Sequence, residues 1–358
     1  MQKEQNEITL YRKYRPHTFQ EVIGQEHITK TLESALKLGN FAHAYLFVGT
    51  HGTGKTSVAR IFARELGCSE NDLYEIDAAS NRGIDDIREL RSSVQNLPFG
   101  SKHKVYIIDE AHMLTKDAFN ALLKTLEEPP SFVVFILATT EFEKLPSTIV
   151  SRCQSFNFRK PQQNVLKDVS LNIAKQEGYK IDPSAAELIA VLGDGSFRDT
   201  LGVLQKVISI SADKKITAEE VELITGAPPR ALVNNFILAI AENKLNEGLL
   251  IINNVVKNNI NIKIFLKLVL AKLRFILLLR FAKKELENDI KKDIDQNDFK
   301  FLKDMSNTKN TQISSATLFV LLNAYSKLGF SYIAQLPLEL AFMDIINNKS
   351  KKDTNIKN

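Results

Sequence analysis

The sequence predicts an α/β protein: a parallel-sheet domain followed by smaller domains made of helices alone. Three observations predict it. Up to about residue 159, short apolar runs alternate with stretches whose apolar residues recur every three or four positions. A glycine-rich loop sits at the first strand-to-helix junction. After Arg159 the strand signal stops, while helical periodicity continues to about Ile346.

The elements follow in order. Ala44 to Val48 reads as a buried strand, Leu73 to Ile76 as a short second, Val105 to Ile108 as a third and Phe132 to Ala138 as a fourth. Between them Thr56 to Leu66, Ile84 to Leu97 and Lys116 to Leu126 carry helical spacing. Strand–helix alternation of this kind gives a parallel sheet covered on both faces. Beyond it, Pro161 and Pro183 punctuate helices over Gln162 to Glu177, Ser184 to Leu192 and Phe197 to Ser211. A further helix, Ala218 to Ile224, stops at Gly226, with Pro228 and Pro229 after it, a natural helix end and linker. From Ala231 the chain is again helical: Leu249, Ile252, Val255 and Val256 share one stripe, and Phe265, Leu268, Val269 and Lys272 continue the period. The expected domains are 1–159, 160–226 and 227–346, with a polar, lysine-rich, flexible tail over 347–358.

Composition excludes several classes. A chain of 358 residues, 44% hydrophobic and 25% charged, has apolar material for two or three cores of about 150 residues each. That argues against global disorder and against a disulfide scaffold. The cysteines, Cys68 and Cys153, form no CxxC pair, and a reduced cytosolic chain is expected. Met1 to Leu10 has no apolar core of a signal peptide. The most apolar stretch, Ile264 to Phe281, is broken by Lys267, Lys272, Arg274 and Arg280, so it falls short of the about 20 apolar residues a membrane span needs. The net charge of +5 permits a nucleic-acid partner without demanding one.

The loop is the most specific feature. Gly49-Thr50-His51-Gly52-Thr53-Gly54-Lys55-Thr56 is a complete G-x-x-x-x-G-K-T pattern between a strand and a helix, with Ser57 next on that helix. Glycines let the backbone wrap phosphates and aim its N–H groups inward, and the helix N-terminus adds positive dipole. Lys55 is expected to reach the β- and γ-phosphates of ATP, and Thr56 to ligate magnesium. Its partner is Val105-Tyr106-Ile107-Ile108-Asp109-Glu110, a strand that carries two carboxylates to its C-terminal end, where ligands bind in α/β sheets. Asp109 would hold the magnesium through water and Glu110 would activate the attacking water. The acidic pair favours hydrolysis over transfer to a substrate hydroxyl.

Further segments resemble one family. They are Tyr11-Arg12-Lys13-Tyr14-Arg15-Pro16, Val22-Ile23-Gly24-Gln25, His43-Ala44-Tyr45-Leu46-Phe47 and Glu75 to Gly83. Asp109-Glu110-Ala111-His112-Met113-Leu114, Phe119 to Pro130, Ala138-Thr139-Thr140, Ser151-Arg152-Cys153, Gly195-Ser196-Phe197-Arg198-Asp199 and Gln335 to Ala341 continue the set. The pattern is similar to the bacterial DNA polymerase III gamma/tau family, the AAA+ motor of the sliding-clamp loader, and it is dense up to about Gly226.

The resemblance implies a P-loop AAA+ domain, a small helical lid and a helical collar that assembles the loader. It implies that Thr140 senses the γ-phosphate, that Arg198 reaches the nucleotide of its own chain and that Arg152 serves in trans as an arginine finger. Tyr11, Arg15, Pro16, Val22 and Ile23 would border the adenine. The residues alone leave other readings open: a surface arginine for Arg152, a partner of Asp194 or Asp199 for Arg198, a strand-end hydroxyl for Thr140, and packing for Tyr11 and Tyr14. Implied partners are delta- and delta-prime-type loader subunits, further copies of the chain, the sliding clamp and primer–template DNA, with no membrane. The implied place is the cytoplasm, at the nucleoid's replication forks. Asn81, Arg82, Thr115 and Lys116, beside helix starts, are the candidate DNA contacts, suited to phosphate without base reading. Association with a DNA-directed DNA polymerase (nucleotidyltransferase) comes through the holoenzyme, since nothing here resembles a nucleotidyl-transfer site.

Two departures stand out. The family's four-cysteine zinc module is reduced to Cys68, and Ser69-Glu70-Asn71-Asp72 leads directly on to Leu73, so no zinc is expected. The chain also stops soon after the expected collar, as in the short gamma form. The competing functions are a non-hydrolysing scaffold subunit of the loader and another AAA+ DNA-remodelling ATPase.

Overall fold

In the computed structural model, residues 8–81, 83–281, 287, 290–291, 294–308 and 311–354 are described. The chain divides into two compact units, Met1–Leu166 with Gly193–Gly202, and Lys167–Leu192 with Val203–Asn358. The segment 160–226, expected as a separate lid, is therefore distributed between the two.

The first unit is built on a five-stranded parallel sheet. Its strands are β1 (Ala44–Val48), β2 (Leu73–Asp77), β3 (Lys104–Asp109), β4 (Val133–Thr139) and β5 (Gln154–Asn157), in the order β2-β3-β4-β1-β5. Central strands read as apolar runs because both their faces are covered. Every residue of β4 is buried. Alternate residues divide between two cores. Leu46, Tyr106, Ile108, Phe135 and Leu137 join α4 (Ile84–Val94) and α5 (Lys116–Glu127) on one face. Tyr45, Phe47, Val105, Ile107, Val134 and Ile136 join α2 (Glu26–Leu38) and α3 (Lys55–Glu65) on the other. The edge strand β5 has the sequence Gln-Ser-Phe-Asn and is mostly exposed, so it carries no apolar run to detect. Helices α1 (Leu10–Lys13), α2 and α6 (Ser147–Val150) also lie outside the expected elements, although Ile28 and Leu32 on α2 are buried. Strand order and register place the C-terminal ends of β1, β3 and β4 side by side.

The second unit is helical. It holds α8 (Pro183–Leu192), α10 (Ala218–Thr225), α11 (Arg230–Ala241), α12 (Leu245–Lys257), α13 (Ile262–Phe281) and the helices Gln296–Asn307, Ser315–Lys327 and Leu336–Thr354. Helices α7 (Gln163–Gln176) and α9 (Phe197–Ile210) begin in the first unit and end in this one. Thr217 and Glu220 form a capping box on α10, and Gly226 ends it in the left-handed region at φ +68°, the stop that the sequence pattern predicts. Within this unit one core occupies residues 232–346, with Phe236 at 5.3 Å from Phe265 and 5.1 Å from Phe342 between ring centroids. Strand signal does not end at Arg159: Lys180–Ile181 and Lys215–Ile216 pair in parallel. Two residues per strand are too few to show a period. The last helix continues to Thr354, past the Asn347 at which the sequence placed the start of a tail. Among the described residues no helix is long and apolar enough to cross a membrane.

Candidate nucleotide site

The loop after β1 turns on glycine. Gly52 (φ +67°) and Gly54 (φ +100°) lie in the left-handed region that side chains rarely adopt. A Cβ at Gly52 would sit 1.9 Å from Ser196 Oγ, and one at Gly49 would sit 2.8 Å from Phe158 Cβ. The loop is thus threaded between two segments with no room to spare, whereas a Cβ at Gly54 would meet nothing within 4 Å. Phe197 N donates to Gly52 O at 2.9 Å, which fixes the Gly195–Asp199 segment against the loop. Gln25 ties the other side. Its Nε2 donates to Arg159 O at 2.8 Å, and its Oε1 accepts from Arg159 N at 3.0 Å. In the sequence Gln25 stands only as the end of the Val22–Gln25 turn; a fully buried glutamine bonded to backbone leaves no pattern of its own.

Lys55, the first residue of α3, is buried. Its Nζ donates to Gly49 O at 2.8 Å and Thr50 O at 3.0 Å. Burial lowers its pKa, and the nearby carboxylates of Glu110 and Asp109 oppose that. Thr56 Oγ1 donates to Asp109 Oδ2 at 2.8 Å, so the two expected magnesium ligands are neighbours across the ends of α3 and β3. Glu110 follows with φ +49°, a conformation costing a non-glycine residue roughly 1–2 kcal/mol. That turn moves its carboxylate off the strand direction. Thr140 Oγ1 donates to Glu110 Oε2 at 3.1 Å, and His51 Nδ1 lies 3.4 Å from Glu110 Oε1. Lys55, Thr56, Asp109, Glu110 and Thr140 therefore come together at one edge of the sheet.

The other expected residues are placed as follows. The guanidinium of Arg198 lies over the Tyr11 ring, 5.1 Å from its centroid. Arg15 and Pro16 are half-buried, and burial followed by the charge of Arg60 lowers the Arg15 pKa. Val22 is buried in the core beside Phe19 and Ile28, while Ile23 is exposed. Arg152 is not drawn into the cluster: its Nη1 donates to Thr148 O at 2.8 Å and its Nη2 pairs with Glu127. Asn81 Nδ2 donates to Asp77 O at 3.2 Å. Thr115 caps α5 by accepting from Ala118 N at 3.2 Å, and Lys116 is exposed. Arg82 lies outside the described residues.

Where the family's zinc module would enter, a short turn at Glu70–Asp72 leads into β2. Burial raises the Asp72 pKa, but backbone N–H donation from Phe99 and Gly100, with the Ser101 and Ser69 side chains, holds it at about 2. Burial pushes the Cys68 thiol up to about 11. Among the described residues no group of three or more His, Cys, Asp or Glu is arranged to hold a metal ion.

A parallel sheet in this strand order, with a phosphate loop after β1, an acidic pair at the end of β3 and a polar residue after β4, is the P-loop fold of AAA+ ATPases. In fold it is similar to the RuvB Holliday junction branch migration motor of Thermotoga maritima, with a TM-score of 0.52 and 23% identity over 63% of this chain and 79% of that one. The family described as DNA polymerase III, delta subunit, matches residues 24–82 and 71–162. The chain is 43% identical over 269 residues to DNA polymerase III subunit tau of Bacillus subtilis (strain 168), covering 69% of this chain and 48% of that protein. It is 41% identical to DNA polymerase III subunit gamma/tau of Mycoplasma genitalium over 72% of this chain and 47% of that protein. It is 37% identical to subunit tau of Escherichia coli (strain K12) over 78% and 47%. By these matches the chain belongs to the DNA polymerase III gamma/tau family, and it spans about half the length of the curated relatives it matches.

Proposed function

We propose that the chain is an ATP-hydrolysing motor subunit of a DNA polymerase III clamp loader, coupling ATP binding and hydrolysis to loading of a sliding clamp on primed DNA. The observation that carries this reading is the joining of Thr56 to Asp109 and of Thr140 to Glu110 beside a complete phosphate loop. The donor set suits ATP with magnesium: a buried lysine, an open glycine turn, a hydroxyl and a carboxylate. Thr56 and Asp109 would hold the magnesium ion, which neutralises phosphate charge when bound. Lys55 and the loop N–H groups would hold the phosphates. Glu110 would take the proton of the attacking water, and Thr140 would orient that carboxylate. No step calls for zinc.

Arg152, half-buried and bonded away from this cluster, suits a role toward a neighbouring subunit's ATP. Arginine fingers of that kind accelerate hydrolysis by about a thousandfold or more elsewhere. Hydrolysis would then depend on assembly with delta- and delta-prime-type subunits and further copies. Within this reading Arg198 and Tyr11 flank the nucleotide, 160–226 acts as lid and 227–346 as collar. Polymerase activity belongs to the holoenzyme and not to this chain. Exposed Asn81 and Lys116 would touch DNA phosphates, with salt-sensitive affinity.

The test is steady-state ATPase of the chain with its loader partners, with and without clamp and primed DNA. Stimulation that needs both is expected. Activity that ignores the clamp would overturn the loader reading in favour of another AAA+ DNA remodeller. An assembled loader that keeps full activity with Glu110→Gln would favour the scaffold role.

A further inference from the structure

The first unit holds a buried histidine that the hydrolytic scheme has not used. His112 follows Glu110 in the short turn after β3, and its side chain is only 6% exposed. Its Nε2 lies 3.2 Å from Glu141 Oε1. Its Nδ1 lies 3.1 Å from Thr139 Oγ1 and 3.5 Å from Glu110 Oε2. Glu141 is itself anchored, with Oε2 2.7 Å from Lys144 Nζ and its backbone N donating to Thr139 Oγ1 at 3.0 Å.

In the neutral tautomer that serves Glu141, a carboxylate that only accepts, Nε2 carries the hydrogen and donates. Nδ1 then accepts from the Thr139 hydroxyl, whose oxygen receives the Glu141 N–H. The Nδ1 lone pair stands beside Glu110 Oε2 with no hydrogen between them. Two such electron-rich atoms repel, whereas the Thr140 hydroxyl donates to the same oxygen. The ring is thus a wall that offers Glu110 no bond, while Thr140 and His51 lie on the sides where its oxygens rest.

We propose that His112, locked by Glu141 and Thr139, is a positioning residue that holds the Glu110 carboxylate toward Thr140 and the phosphate loop. The inference rests on the hydrolytic reading of Glu110 and deepens it. The whole effect of His112 passes through one carboxylate.

The experiment measures ATP affinity and turnover in the assembled loader for His112→Ala, His112→Asn, Glu141→Ala and the double variant His112→Ala/Glu141→Ala, with Glu110→Gln as control. His112→Ala should lower kcat by about ten- to a hundredfold, the scale of a small misplacement of a reacting group, while Kd for ATP stays within about twofold. His112→Asn, whose amide oxygen can replace Nδ1 toward Thr139, should recover most of the rate. Glu141→Ala should cost less, and the double variant no more than His112→Ala alone, because both act through one ring. Normal turnover in His112→Ala with an inactive Glu110→Gln overturns this inference and leaves the hydrolytic reading intact. Wild-type turnover in Glu110→Gln overturns both. Additive losses, equal defects in His112→Asn and His112→Ala, or a parallel loss of ATP affinity would mean that His112 only supports the fold.

Discussion

The two units treat charge in opposite ways. In the first, Lys55, Thr56, Asp109, Glu110 and Thr140 stand at strand ends around a loop whose Gly54 faces open space. In the second, a comparable set is closed on itself. Lys272 Nζ bonds Asn234 Oδ1 and Asp298 Oδ1, each at 2.8 Å. Arg230 bonds Asp295 Oδ2 at 3.0 Å and approaches Asp298 at 3.7 Å. Asp295 N donates to Glu187 Oε2 at 3.3 Å, and Lys267 Nζ donates to Val191 O at 2.8 Å. Residue types alone do not separate a site from a strut. The difference is whether the cluster keeps one side open for a ligand to complete.

The sharpest way to break this comparison is to remove one charge from each cluster. Glu110→Gln should lower turnover by about a thousandfold or more, within the range of a lost general base, while leaving ATP binding intact. Lys55→Ala should cut ATP affinity by about a hundredfold, as losing charge-assisted phosphate bonds does, with little change in thermal unfolding. Isothermal titration and quenched-flow hydrolysis would read the two. A large drop in stability from Lys55→Ala would mean that its carbonyl bonds, and not a ligand, explain its burial.

In the helical unit the same kind of change should act on stability instead. Asp298→Asn leaves Lys272 and Arg230 short of a carboxylate in a largely buried place. Breaking one partner of a buried pair costs about 3–5 kcal/mol. The melting transition of this unit should fall by several degrees, with ATP affinity unchanged. Loss of ATP binding in this variant would show that the closed cluster is not merely structural.

The same contrast explains what the sequence could disclose. Chemistry at an open site depends on fixed residue types at fixed spacing, so Gly49 to Thr56 and Asp109-Glu110 were legible, and so was the parallel sheet whose central strands are continuously apolar. The edge strand Gln154–Asn157 was not, because half of its surroundings are water. Nor was the role of His112, whose partners Thr139 and Glu141 meet it only when β3 and β4 pair. The division of residues 160–226 between two units was also hidden, since Gly193–Gly202 joins the first unit by tertiary contact with the loop at Gly52. Asp298, Lys272 and Arg230 come from separate helices, so no spacing in the sequence joins them.

A smaller effect should appear as a pH slope in the helical unit. Burial pushes the Glu187 carboxyl up to about 7, Asp298 adds repulsion, and Lys167, Lys272 and the Asp295 N–H pull it down. Burial raises Glu222 in the same direction. A raised acid holds in the folded state a proton that the unfolded chain releases. Its contribution is therefore most favourable below the ordinary value of 4.5 and is lost as pH rises through about 7. The loss amounts to about 3 kcal/mol at most. Melting temperatures at pH 5 and pH 8 should show this unit weakening, and Glu187→Gln should flatten the slope and raise stability at pH 8. A slope of the opposite sign would place an ionised Glu187 among its cations as a net stabiliser.

The smallest prediction uses one methyl group in each region. At Gly248 on α12 a Cβ would lie 2.0 Å from Cζ of the Phe342 ring, and overpacking of a tight core costs about 1–3 kcal/mol. Gly248→Ala should thus lower the melting point of the helical unit and leave ATP affinity untouched. At Gly52 the new Cβ would meet Ser196 Oγ, and φ is +67°. The hydroxyl can rotate away, but Ser196 Cβ would remain at 2.9 Å, and the left-handed backbone still costs about 1–2 kcal/mol. Relieving either moves the loop that would hold the phosphates. Gly52→Ala should therefore appear first as weaker ATP binding and only second as weaker folding. If instead it melts the first unit as Gly248→Ala melts the second, the loop is a packed element like any other, and its open side is not what sets it apart.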